Sequence, residues 1–410
     1  MDKATIGKPA KAPSSIPRSL VLLMSVCTGM SAASLYYAQP LLASIRHAFH
    51  IGTGTAGLVV SVSQIGYISG LVLLVPLGDL FARRRLVPLM AAGLAICLAL
   101  VSTAPNAGLL LAGSLVVGLL SVTAQITVAF AASLATDVDR GRIVGTVMSG
   151  LLLGILLART AAGYLADLGG WRTPFRVAAV LMAALAVVLW RTLPADAERH
   201  RHQYLRVLAS VPVLLAEEPL ILLRSVYGAA AFGAFNALWT PLAFLLSGSP
   251  YHYSTATIGL FGLLGVAGAL AASFAGRIAD RGGAAMMTGL SSVLMLVTWL
   301  PIGLGRHSVW PLIVGIVVLD FAIQGLHITN QSLIYQLRPD ARSRITSAYM
   351  SLYFVGGVIG SVSASAAYAA GGWSASAAVG AACGGVTVVL WAASTLLGRA
   401  RRVPAGADIQ

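Results

Sequence analysis

Four polar side chains, Asp320, Gln324, His327 and Gln331, recur at i, i+4, i+7 and i+11 inside an otherwise apolar run, a spacing that puts them on one face of a helix. Asp320 is the only one of the thirteen acidic residues that falls well inside such a run. Removal from water penalises the charged forms of carboxyl and imidazole groups, so Asp320 and His327 are suited to taking up a proton on one side of a barrier and releasing it on the other. The same spacing also fits a polar seam hydrogen-bonded between packed helices. Arg159 is the outlier of the first half of the chain. It is suited to binding an anionic ligand or pairing with Asp320; snorkelling or capping helix carbonyls is the alternative. The seven histidines show no HExxH or comparable spacing and there is no Gly-x-x-x-x-Gly-Lys-Ser/Thr loop, so no metal site, cofactor or bound ATP is expected. Cys27, Cys97 and Cys383 lie far apart in apolar runs and read as packing residues.

The elements that must hold these groups follow from composition. The 410 residues are 58% hydrophobic and 10% charged, with mean hydropathy +0.86. That is far less charge than the roughly 25% that covers a soluble protein. Apolar runs near 19–44, 55–78, 86–104, 107–133, 143–166, 173–193, 220–247, 255–279, 284–304, 309–336, 344–369 and 374–397 are each long enough for a helix to cross a bilayer. The expectation is an all-α integral membrane protein with twelve transmembrane helices. Its expected parts are a tail (1–18), a six-helix bundle (19–194), a polar linker (195–218), a second bundle (219–397) and a tail (398–410). Residues 1–17 lack the cleavage pattern of a secretory signal.

Twelve crossings place both tails and the linker on one side. That side holds 21 of the 27 Lys and Arg residues and the opposite side 4. By the positive-inside rule the tails and linker are cytoplasmic. The net charge of +14 then reflects topology and contact with anionic lipid headgroups, and no nucleic-acid partner is expected.

A charged turn, Val75-Pro-Leu-Gly-Asp-Leu-Phe-Ala-Arg-Arg-Arg85, separates two apolar runs, and Gly276-Arg-Ile-Ala-Asp-Arg281 echoes it with Asp79 and Asp280 201 residues apart. Arg140-Gly-Arg142 and Arg342-Ser-Arg344, Met148 and Met350, and Gly169-Gly-Trp171 and Gly371-Gly-Trp373 lie 202 apart, and Pro40-Leu41 and Pro241-Leu242 lie 201 apart. One offset held at several places means two parallel six-helix repeats, with a site at their interface near mid-membrane.

Two six-helix halves, a basic linker and the turn at 75–85 resemble the major facilitator superfamily over essentially Ser19 to Leu397. Leu77, Asp79, Arg83 and Arg84 match the family's turn, while Val75, Leu80 and Ala82 depart from it. Gly145, Gly154, Ala158, Ala162 and Gly163 resemble the fifth-helix motif of proton-driven exporters, with Arg159 where that motif has Pro. Those exporters carry an Arg in the fourth helix where this chain has Ser114. Tyr36-Tyr-Ala-Gln-Pro-Leu41 is similar to a branch of uncharacterised bacterial exporters. The resemblance implies a bacterial cytoplasmic-membrane protein, monomeric, moving a small molecule against protons, with helices 1, 4, 7 and 10 around the cavity. Candidate cavity contacts are then Tyr36, Gln39, Gln64, Tyr67, Gln125, Asn236, Trp239, Gln324 and Gln331 beside Arg159. Gln125 lies 202 residues before His327, so the two are expected to face one another. Asp79, Arg83 and Arg84, with Gly276, Asp280 and Arg281, read as a gate between two conformations, or as a topogenic turn only. Few acids and aromatics approach the cavity, which disfavours polycations. The leading expectation is export of a small organic compound in exchange for protons. Import by proton symport is the nearest rival, and a membrane receptor without transport is the rival of another class.

Overall fold

A computed structural model describes residues 16–136, 138–194, 215–266, 268, 277–278, 282–337 and 342–400, with Asp79, Arg342, Ser343 and 397–400 described by backbone alone. Gly276, Asp280, Arg281, most of the linker and most of both tails lie outside the described residues.

All regular elements among the described residues are helices. Nine of them are long and apolar enough to cross a membrane. The last of these, Arg344–Leu396, is 53 residues long, more than twice what one crossing needs. Its backbone leaves helical geometry at Gly371 and Gly372, where Gly372 takes φ 64°, so it is two helices, α11 (342–370) and α12 (373–400). Gly170, 202 residues earlier, turns the chain between α5 (Arg140–Gly169) and α6 (Thr173–Thr192) with φ 82°. Positive φ is open to glycine at little cost, and this explains the repeated Gly-Gly-Trp. Trp171 and Trp373 are both buried just after the turn.

The other helices are α2 (Thr53–Leu73), α3 (Arg83–Ser102), α4 (Ala107–Leu134), α7 (Pro219–Ser247), α9 (Ala284–Leu304) and α10 (Val309–Leu337). Two are shorter. Arg18–Ala33 opens α1, which tightens into a 3-10 turn at Gln39–Leu41 and continues as Leu42–Phe49. Thr255–Gly265 is the described part of α8. The described helices are consistent with the twelve expected spans, the eighth being described only in part. The expected first span differs by its interruption, because Pro40 has no N–H and its ring crowds the carbonyl four residues back.

Helices in hydrocarbon gain nothing from hiding apolar surface from one another, so small residues that admit close approach carry the packing. Gly154 of α5 lies against the Gly29 backbone of α1, and Gly356 of α11, 202 residues on, lies against the Ala229 backbone of α7. A Cβ at either glycine would overlap the facing carbonyl oxygen. The duplicated sequence thus packs by a duplicated contact. Large apolar side chains such as Ile96, Val180 and Trp310 face outward, as a hydrocarbon solvent requires.

The halves meet through α2 on α11 and α5 on α8. Ser61 Oγ donates to Ser361 Oγ at 2.9 Å, and Thr240 Oγ1 of α7 reaches the same hydroxyl at 3.1 Å. Thr160 Oγ1 donates to the Gly259 carbonyl at 3.0 Å, and Thr255 donates to Asp167. These contacts lie toward the 50–52, 170–172 and 248–254 loops. At the other end of α5, Ile143 and Val147 are the buried residues before Ala158, and a Cβ on Gly145 would meet no atom within 4 Å. Among the described residues these contacts close one end of the crevice between the halves.

Gly356→Ala is expected to cost about 1–3 kcal/mol by overpacking, read as a lower unfolding temperature of the detergent-purified protein. Gly145→Ala is expected to leave that temperature unchanged.

Candidate functional site

Arg159 lies beyond the middle of α5 and is 4% exposed. Its Nε donates to Gln39 Oε1 at 2.6 Å. Its guanidinium carbon lies 4.1 Å from the Trp239 ring centroid, 4.9 Å from Tyr36 and 5.3 Å from Phe235. Cation–π contacts of this kind contribute about 2 kcal/mol each when desolvated. The 3-10 stretch before Pro40 brings Tyr36 and Gln39 to the same guanidinium, and α7 presents Phe235 and Trp239 one turn apart. Two helices of opposite halves therefore converge on one cation. Arg can only donate, so Gln39 must turn Oε1 toward it, which leaves Gln39 Nε2 as a free donor. Neither Gln39 Nε2 nor Arg159 Nη2 has a hydrogen-bond partner.

Asp320 of α10 is 7% exposed; its Oδ1 has no partner at hydrogen-bond distance, although the Trp239 indole N–H of α7 is turned toward the carboxyl. Its Oδ2 lies beside Gly265 of α8, where a Cβ would stand 3.5 Å away, and a Cβ on Gly262 would stand 2.9 Å from the Arg159 Cβ. Residues 261–265 are 3-10 helical, and i, i+3 positions eclipse in that geometry, about 6 Å apart along the axis. Gly262 and Gly265 thus form one bare face, with Arg159 at one end and Asp320 at the other. The two charged groups interact electrostatically but make no ion pair.

The remaining residues of α10 diverge from the single face expected of them. His327 Nδ1 lies 3.0 Å from Tyr349 Oη, and its ring centroid is 4.9 Å from that of Tyr353 on α11. Asp320 instead abuts α8. Gln324 packs beside Gly268, and Gln331 is half-buried farther along. Gln125 does not face His327, because its Nε2 donates to Tyr67 Oη at 3.2 Å. A chain of aromatic contacts, Tyr67–Phe354–Tyr353, stands between the two. Gln64 Nε2 of α2 donates to Asn236 Oδ1 of α7 at 2.6 Å, and Asn236 Nδ2 donates to the Phe232 carbonyl at 3.0 Å. These two residues bind the halves to each other. Ser114 donates to the Leu110 carbonyl of its own helix at 2.8 Å.

Arg83 bonds to groups of its own half. It donates to Gly78 O at 2.9 Å, Ala129 O at 3.1 Å and Ser133 Oγ at 3.2 Å, which caps the C-terminal end of α4. Arg84 is exposed. Of the fifth-helix motif, Gly154 contacts α1, Gly163 contacts α8, and Ala158 and Ala162 are buried on either side of Arg159. Phe235, Tyr349 and Tyr353 were not among the sequence candidates. Aromatic pairs at i, i+4, Phe235/Trp239 and Tyr349/Tyr353, were the available signal.

Two homologous six-helix halves around a polar crevice define a multi-pass membrane transporter. The chain belongs to the major facilitator superfamily, whose family model matches residues 22–361 and 251–407. It is 47% identical over 373 residues, 91% of this chain and 95% of the relative, to an uncharacterised transporter of Escherichia coli, YgaY. A probable transporter of Streptomyces coelicolor is 33% identical over 388 residues, 94% and 89% of the two chains. The fold is similar to that of a bacterial homologue of the human lysosomal transporter Spinster, crystallised inward-facing and unoccupied, with TM-score 0.78 at 13% identity, covering 96% of this chain and all of that one.

Gln39→Leu is expected to destabilise the protein by about 1.5–3 kcal/mol, since a buried guanidinium loses its hydrogen bond. Adding Arg159→Met should recover most of that loss, measured by thermal unfolding of the two variants.

Proposed function

We propose that this transporter exports a small organic compound in exchange for protons by alternating access. Asp320 carries the proton and His327 assists it from the next layer of α10. The observation that carries this reading is the placement of Asp320: buried, with Oδ1 lacking a partner at hydrogen-bond distance, along the Gly262–Gly265 face of α8 from the buried cation Arg159. A carboxylate at this depth requires a counter-charge or a donor. A substrate's donor group and a proton then compete for the same oxygen, and that competition is the basis of antiport. The arrangement of Gly145, Gly154 and Gly163 along α5, resembling the exporter motif, supports the outward direction.

The 21-to-4 split of basic residues supports cytoplasmic termini in a bacterial inner membrane. On that topology the closed end of the crevice lies away from the cytoplasm and its other end faces the cytoplasm. Substrate enters there, and the contacts at the closed end, Ser61–Ser361 and Thr255–Asp167 among them, must part for release. The turn at Asp79, Arg83 and Arg84, with its second copy at Gly276, Asp280 and Arg281, forms the cytoplasmic gate. In this conformation Arg83 donates to Gly78, Ala129 and Ser133 of its own half, contacts that a gate can exchange between states.

In proteoliposomes with an imposed pH gradient, Asp320→Asn is expected to abolish pH-driven flux while retaining substrate counterflow. Flux unaffected by the change would overturn Asp320 as the coupling group, and uptake in the direction of the protons would overturn export. Asp79→Asn is expected to slow transport several-fold at little-changed apparent affinity; wild-type rates would remove the gate.

A further inference from the structure

Each end of the glycine face carries hydrogen-bonding groups that the protein itself does not use. At one end Arg159 Nη2 and Gln39 Nε2 are buried donors without partners. At the other end Asp320 Oδ1 is a buried acceptor with no partner at hydrogen-bond distance, and the Trp239 indole N–H is turned toward that carboxyl. Leaving such groups unpaired costs about 1–3 kcal/mol each, more for charged ones. A site that tolerates this three times within one crevice is built to have something else complete the bonds. The polarity is ordered: donors and a positive charge on the α1/α5 side, a carboxylate on α10. Between them α8 presents Gly262 and Gly265, which let the Arg159 stem and Leu156 lie close against its backbone. Tyr36, Phe235 and Trp239 line the cationic end with ring surface.

We propose that the substrate is a small zwitterion, an amino carboxylate with an apolar body. Its carboxylate accepts from Arg159 Nη2 and Gln39 Nε2, and its ammonium group donates to Asp320 Oδ1. A fork of two nitrogens suits a planar carboxylate. A plain organic anion would leave Asp320 unpaired and repel it, and a plain amine would leave Arg159 unpaired; either loses the bond that the missing group would make. This rests on the exporter reading for its coupling: protonation of Asp320 removes the acceptor that holds the ammonium group, so a proton expels the substrate. It adds to that reading the identity of what is carried.

The test is equilibrium binding to the purified full-length chain, using leucine, phenylalanine and tryptophan as zwitterions of three apolar bodies. Each is compared with its desamino acid, its amide and its decarboxylated amine. At least one zwitterion is expected to bind about tenfold or more tightly than all three of its analogues, as loss of one charge-assisted hydrogen bond dictates. Asp320→Asn is expected to erase the preference over the desamino acid alone, and Arg159→Gln the preference over the amide and amine alone. Analogues binding as well as the zwitterions would overturn the proposal. So would failure of all three zwitterions to bind the wild-type chain, and if that chain still moved another solute under a pH gradient, the exporter reading would stand without this substrate class. Zwitterion binding with no pH-driven flux would support the site and remove the exporter reading instead.

Discussion

A guanidinium cannot lie in hydrocarbon without partners, and the placement of Arg159 constrains much of what surrounds it. It takes an amide from α1, ring faces from α1 and α7, and a glycine in α8 at its own Cβ. None of these elements adjoins α5 in sequence. The interruption of α1 before Pro40 has the same logic, because a straight helix would present Tyr36 and Gln39 at different angles. The cation is thus a meeting point of both halves, and any rocking of one half on the other must alter its contacts. That is the property a transport site needs: its bonds differ between the two states.

Around this centre the bundle is held by contacts that carry no hydrophobic driving force. Gly154 on Gly29 and Gly356 on Ala229 are the same contact made twice, once per repeat. They keep each half internally rigid. The joints between halves are of a different kind: single hydroxyl bridges such as Ser61–Ser361 and the amide pair Gln64–Asn236, each worth about 1 kcal/mol in a membrane setting. Rigid halves with weak, polar and reversible joints favour rigid-body rocking over internal deformation.

Much of this was legible in the sequence, for identifiable reasons. Hydropathy and the positive-inside count report on solvent, which acts on each residue singly, so the spans, the repeat and the isolation of Asp320 and Arg159 could be read directly. Residues chosen by polarity alone, Gln39, Tyr36, Gln64, Asn236 and Trp239, all lie at the crevice, but their partners were not readable. Gln125 bonds to Tyr67 and not toward His327 because helix crossing angles set which face meets which, and no local pattern encodes them. The bare face of α8 was hidden for a second reason. Gly262 and Gly265 lie three residues apart, which eclipses them in the 3-10 stretch, whereas an α-helical reading offsets them by about 60°.

The central claim is that the Asp320 carboxyl gains and loses a proton opposite Arg159. Infrared difference spectroscopy of the lipid-reconstituted protein across a pH titration tests it most directly. A protonated-carboxyl carbonyl band is expected that titrates, shifts when zwitterion is added, and is missing from Asp320→Asn. A band of the same intensity and titration in that variant, or no titrating carboxyl at all in the wild type, would contradict it.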